Sequence, residues 1–305
     1  VFAEAGLWRG AFWSLAPLTV VFAFLVWRFI EDEKRRGGLS RMPYRRLALL
    51  ALAVVLLSAT SLTREFWLQG GLVIASIAIA AIAFVRDVRA EHNMFPRQMT
   101  AVTTELGALY TIFLLVSAVM AFVNTYTTFY LQALHGVAPL TAGYLFAIQS
   151  FGWTASALVV ATLRPSLETA SIVAGLVLVL LASIGIAFTV DSGPVVLIAI
   201  FIGVSGAGIG LINNPAIQRI IAVAPETEKQ MAGTSVQAVR NIGLSLGAAA
   251  SGMVAVSAGL IDGADRTIVA FAMEWVFGVN VAFAALALAI AIPMFARQRG
   301  RDRRE

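Results

Sequence analysis

Polar side chains interrupt long apolar runs at positions whose spacing groups them. Ser117, Asn124, Thr128 and Gln132 recur at seven, four and four residues, and on a helix they share one face. Gln237, Arg240, Asn241 and Ser245 make a second such face. Polar groups in an apolar span are costly unless they face other protein or a wet cavity. Two readings are therefore open: a cavity wall that hydrogen-bonds a solute, or interhelical bonds that fix packing, usually worth under about 1 kcal/mol each. Gln149 and Trp153, four residues apart, could line an amide-and-aromatic pocket for amphipathic compounds; the other reading sets Trp153 against lipid or a neighbouring helix. Arg240 is the one basic residue well inside such a run, and at a bilayer centre it costs at least about 2.5 to 3.5 kcal/mol. It could bind an anionic group, pair with a carboxylate or latch a gate, or else snorkel outward. Glu274 is an acidic residue that could carry a proton if it faces the cavity, or sit at the interface beside Trp275; Asn280 lies six residues further on.

Other chemistries are excluded by what the chain lacks. With no cysteine, disulfides, thiolate catalysis and cysteine-held metals drop out. The two histidines, His92 and His135, are expected in loops on opposite sides, and no carboxylates cluster within the apolar runs. Neither a metal site, a cofactor nor a polytopic membrane enzyme is expected. Gly203, Gly206, Gly208 and Gly210 do not form a dinucleotide fingerprint, because no strand precedes them and the spacing is wrong. Gly206 with Gly210, and Gly243 with Gly247, instead fit small-residue surfaces for close helix contact.

Helices through a bilayer are the elements that must position these residues. Hydrophobic residues make up 59% of the 305 and charged ones only 13%, against about 25% in a soluble domain. The mean hydropathy is +0.86. A span needs roughly 20 apolar residues, and nine stretches qualify, near residues 10–30, 46–63, 67–85, 108–131, 142–163, 169–190, 194–213, 232–257 and 270–296. The Asn213-Asn214-Pro215 run is expected to end the seventh. If the C-terminus is cytoplasmic, eighteen of the 22 Lys and Arg fall on the inside, in line with the positive-inside rule. The basic tail then reads as an inside anchor near anionic lipid, not as a nucleic-acid site. Nine spans put Val1 outside, and the chain opens without Met or a signal peptide, so continuation of a longer polypeptide is expected. Charged connections at Glu31 to Arg46 and Arg86 to Thr104 divide the spans into one, two and six.

That layout resembles the fourteen-span drug:proton antiporter branch of the major facilitator superfamily, entered just before its sixth span. LWRGAFWSLAP, Leu7 to Pro17, is similar to the W-R-x-x-F segment opening that span. FYLQALHGVAPLTAGYLF, Phe129 to Phe146, resembles the Y-L-Q-x-x-x-G-x-x-P-x-x-A-G connection, with Tyr130, Gln132, Gly136, Pro139 and Gly143 in register. MAGTSVQAVRNIGLSLGAAASG, Met231 to Gly252, is similar to A-G-x-x-x-x-x-R-x-x-G-x-x-x-G. LRPSLET stands where the family often has G-x-x-x-D-R, which puts a gating contact there in doubt. The short echo of Thr141-Ala142-Gly143 in Met231-Ala232-Gly233 fits two triplets of inverted topology.

The resemblance implies an all-helical polytopic membrane protein. Residues 1–36 are the last helix of an N-terminal bundle with the start of a linker, 37–104 two linker spans and a loop, and 105–305 a six-helix C-terminal bundle. It implies, in the plasma (inner) membrane, proton-coupled efflux of drug-like or amphipathic small molecules by alternating access, with the N-terminal bundle of the same polypeptide, small-molecule substrate, protons and lipid bilayer as partners. A non-transporting scaffold or sensor on the same fold is the alternative.

Overall fold

The computed structural model describes residues 8–29, 43–63, 65–90, 93–164, 167–261 and 263–302. Leu7, the connection from Glu31 to Met42, Arg64, His92, Pro165-Ser166 and the last tail residues from Arg303 lie outside them. Among the described residues there is no strand, and each of the nine expected stretches falls on helix: α1 (Trp8–Trp13) with α2 (Leu15–Phe29), α3 (Tyr44–Ala59), α4 (Phe66–Val88), α5 (Glu105–Ala133), α6 (Pro139–Ala161), α7 (Glu168–Thr189), α8 (Val195–Val223), α9 (Lys229–Ser257) and α10 (Arg266–Asp302). Seven, α4 to α10, are long and apolar enough to cross a membrane. At 15 and 16 residues, α2 and α3 are shorter.

The first stretch divides because Pro17 has no N–H for the carbonyl of Trp13, four residues back, where α1 ends. Ser14 N still donates to Gly10 O at 2.9 Å, so the chain turns only briefly. The basic run after residue 296 stays helical to Asp302 rather than forming a separate tail.

Helices α5 to α10 form one bundle. Within it α8 packs between α6 and α7, α5 packs between α9 and α10, and α10 reaches α7. Exchanging α5, α6 and α7 for α8, α9 and α10 maps the main pairings onto themselves: α5 on α9 becomes α8 on α6, and α7 on α8 becomes α10 on α5. The two triplets are thus structural repeats, as the short sequence echo suggested. Two apolar clusters fill the bundle. One, around Leu109, Leu176 and Ile212, lies toward the end where α5 starts, here the lower end; the other, around Phe122, Ile186 and Phe277, lies toward the upper end.

Local chemistry sets the helix ends. Thr104 Oγ1 accepts from Gly107 N at 3.1 Å and caps α5. Beside it, the Glu105 carboxylate pairs with Arg219 of α8 at 2.6 Å. At the top, Gly136 takes φ +63°, which L side chains rarely adopt, so the chain can turn sharply before Pro139 opens α6. The two turn-forming residues of the Phe129 to Phe146 segment therefore have a geometric reason.

Pro215 corrects one expectation. It does not end a helix; α8 runs on to Val223 with Pro215 inside it. A proline there deprives the carbonyl of Leu211 of its donor. The hydroxyl of Ser171 on α7 supplies one, at 2.8 Å from Leu211 O. A neighbouring helix has thus satisfied the freed group, which is how membrane helices tolerate proline.

The pair α3 and α4 is a hairpin tied by Ser76 Oγ to Ala53 O at 2.7 Å, with α3 against α9. Its upper end is held by Gln69, whose Nε2 donates to Thr63 O at 2.7 Å and whose Oε1 accepts from Ser257 of α9 at 3.1 Å. At its lower end Asp87 pairs with Arg46 and accepts from the backbone N–H groups of Met94 and Phe95. Phe95 is buried in the lower cluster of the bundle. By contrast, α2 buries no residue.

Candidate functional site

Helices α5 and α9 carry the two predicted polar faces, and the contact between them rests on glycine. A Cβ on Gly243 would strike the carbonyl of Leu114, and one on Gly247 the carbonyl of Ala118. Hydrogen at these positions lets the backbones approach. Gly206 and Gly210 do the same for α8 against α6, at the carbonyls of Gln149 and Trp153.

The lower two-thirds of α5 is mostly buried, but its upper third is not. There Asn124 is exposed, Thr128 half-buried and Gln132 exposed, with Gln132 Nε2 donating to Thr128 O at 2.9 Å. On α9, Gln237 and Asn241 are exposed and joined by a 3.3 Å hydrogen bond. Ser117, at the lower end of the same α5 face, is buried and donates to Phe113 O at 2.7 Å.

Four helices meet around Arg240. Phe113, Val116, Ser117 and Met120 from α5, Trp153 from α6, Ile209, Ile212 and Asn213 from α8, and Arg240 from α9 line one narrow recess. The guanidinium lies over the Trp153 ring, 5.1 Å from its centroid. Such a contact is worth about 0.5 to 2 kcal/mol, rising as water is excluded. Arg240 stands eleven residues into α9, about 17 Å along the helix axis, and turns toward α6 instead of reaching out along its own helix. No ion pair joins it to a carboxylate among the described residues, whereas Arg219 is neutralised by Glu105.

Other predicted positions lie apart from this recess. Gln149 is buried, and its Nε2 finds no protein acceptor. Glu274 is exposed on α10, on the outward stripe with Phe271 and Trp275, and does not meet Arg240. Asn280 is fully buried and donates to Val119 O at 3.0 Å, which ties α10 to α5. His135 bonds to Val190 O at 2.9 Å. Among the described residues no cluster of His, Asp or Glu is arranged to hold a metal.

Asn213 is the recess residue that sequence reasoning set aside, because Pro215 suggested a helix end with capping amides. The available signal was its phase: Gly206, Gly210 and Asn213 share one face if α8 continues. The meeting of Trp153 with Arg240, far apart in the chain, left no such local mark.

Comparisons with known proteins agree with this architecture. Residues 1–248 match the Major Facilitator Superfamily. The chain is 27% identical over 302 residues to a protein of Mycobacterium tuberculosis named "Probable multidrug-efflux transporter", found in strains CDC 1551 and H37Rv; the match covers 93% of this chain and 63% of the relative. It is 24% identical over 287 residues to the "Methylenomycin A resistance protein" of Streptomyces coelicolor, covering 92% of this chain and 57% of that one. The chain thus spans somewhat under two thirds of the length of these relatives. With an all-helical bundle, paired helix triplets and a match over most of its length, the chain belongs to the Major Facilitator Superfamily, a family of membrane transporters and not of enzymes.

Proposed function

We propose that this chain is part of a secondary transporter that expels drug-like or amphipathic small molecules in exchange for protons. In this reading α5 to α10 form the second of two bundles, α3 and α4 are linker spans of the fourteen-span form, and α2 is the last helix of the first bundle. The C-terminus is cytoplasmic, and the protein sits in the plasma (inner) membrane. The observation that carries the reading is the exposed polar face of α5 and α9, where Asn124, Gln132, Gln237 and Asn241 interrupt otherwise apolar spans. Such a face is costly against lipid and favourable against water. A wetted cavity completed by an opposing bundle satisfies it, and alternating exposure of that cavity moves a solute. An apolar α2 that buries nothing, and the printed names of the relatives, support the same reading.

The test is transport by the complete polypeptide in inside-out membrane vesicles. An amphipathic dye should accumulate when a proton gradient is imposed and leak back when a protonophore collapses it. Accumulation that ignores the gradient would remove the proton coupling. No accumulation of any dye would favour a scaffold or sensor on the same fold.

A further inference from the structure

We infer that Arg240 and Trp153 form a substrate subsite selective for the acidic group of an aromatic or apolar compound; the inference rests on the transporter reading above. The Trp153 ring lies 5.1 Å from the guanidinium carbon, and the indole, a donor only, offers no lone-pair acceptor for the five N–H donors. The surrounding recess does little to satisfy them. Phe113, Val116, Met120 and the two isoleucines are apolar, and neither of the polar groups that line it, the Ser117 hydroxyl, which donates to Phe113 O, and the Asn213 amide, which donates to Asn214, hydrogen-bonds to Arg240. Ion pairs involve Arg46, Arg219, Lys229 and Arg266, and none of those among the described residues includes Arg240.

A guanidinium within a membrane span and without an anion has an unmatched charge. A carboxylate or similar acid supplies the missing acceptors in a planar, two-pronged geometry that only arginine matches. The recess itself is small, about 10 Å³, so at most the oxygens of the acid enter it, and the hydrophobic body of the same molecule lies at its mouth, against the half-buried Trp153 ring. The alternative occupant, a carboxylate of an opposing bundle, would leave no preference for acidic substrates. Arg240 is accordingly a specificity-determining residue, and Trp153 a surface for the substrate body and a support for the cation.

The experiment uses the complete polypeptide in lipid nanodiscs and two probes of matched shape, 1-naphthylacetate and 1-naphthylacetamide, titrated at equilibrium. The acid should bind at least about tenfold tighter than the amide, the scale of one charge-assisted bidentate contact. Arg240→Gln should abolish that preference by weakening the acid alone, Arg240→Lys should restore part of it, and Trp153→Leu should weaken both probes. Equal binding of the two probes by the unmodified protein, or an acid preference that survives Arg240→Gln, overturns the inference. Binding in nanodiscs needs no gradient. Loss of gradient-driven movement with an intact acid preference would therefore sink the transport reading alone, and the reverse result this inference alone.

Discussion

Replacing Asp87 with alanine is expected to lower the stability of the complete polypeptide in detergent by about 3 to 5 kcal/mol, the usual cost of removing one partner of a buried ion pair. The side chain is only 3% exposed, and it accepts from Arg46 as well as from the backbone N–H groups of Met94 and Phe95. Alanine would leave the half-buried Arg46 cation without this anion and two N–H groups without an acceptor. Asp87→Asn keeps one carbonyl acceptor and should fall between. Because Asp87 joins the α3–α4 hairpin to the segment that leads into the bundle, the loss should be local as well as global. Trypsin should cut sooner at Arg86, Arg89 or Arg97 in the alanine variant, alongside a melting temperature lower by several degrees. Unchanged cleavage and unchanged melting would show that the hairpin is held by other means.

Gly206→Val is expected to be the most disruptive single change within the bundle. A Cβ there meets the carbonyl of Gln149, a backbone atom that cannot rotate aside. Relief requires α6 and α8 to separate along their whole contact, so the cost should reach or exceed the roughly 1 to 3 kcal/mol of ordinary overpacking. The control is Gly278→Ala on α10, where nothing lies within 4 Å of the added atom. That change should be neutral, or stabilising by up to about 1 kcal/mol through helix propensity. Size-exclusion profiles and melting curves of the two variants check the pair. Equal behaviour would contradict the glycine-mediated contact.

Features visible in the chain alone were those that repeat along one helix. Twenty-residue apolar runs and the Gly206/Gly210 and Gly243/Gly247 spacings depend only on helical period and span length. What stayed hidden depends on two helices at once. Pro215 looked like a stop because the compensating donor, Ser171, sits forty residues before the freed Leu211 carbonyl, on another helix. Gln149 and Trp153, one turn apart, appeared to be partners for one pocket. Both backbones pack on α8, at Gly206 and Gly210, but the Gln149 side chain is buried, while that of Trp153, one turn nearer the lower end, meets Arg240. Depth along the helix was similarly hard to judge, since α9 extends farther at its lower end than the apolar run implied, and this leaves Arg240 nearer mid-span.

The central claim, that the polar face of α5 and α9 borders water, is tested most directly by cysteine accessibility. This chain has no cysteine of its own, so single replacements report one position each. In the complete polypeptide, with any other cysteines removed, Asn124→Cys, Gln132→Cys and Asn241→Cys should react with a charged, membrane-impermeant maleimide, and substrate should slow the reaction. Leu181→Cys, on the outward apolar face of α7, should stay unlabelled until the protein is denatured. Failure of all three polar-face positions to react in the folded protein, with Leu181→Cys equally silent, would contradict a wetted cavity wall.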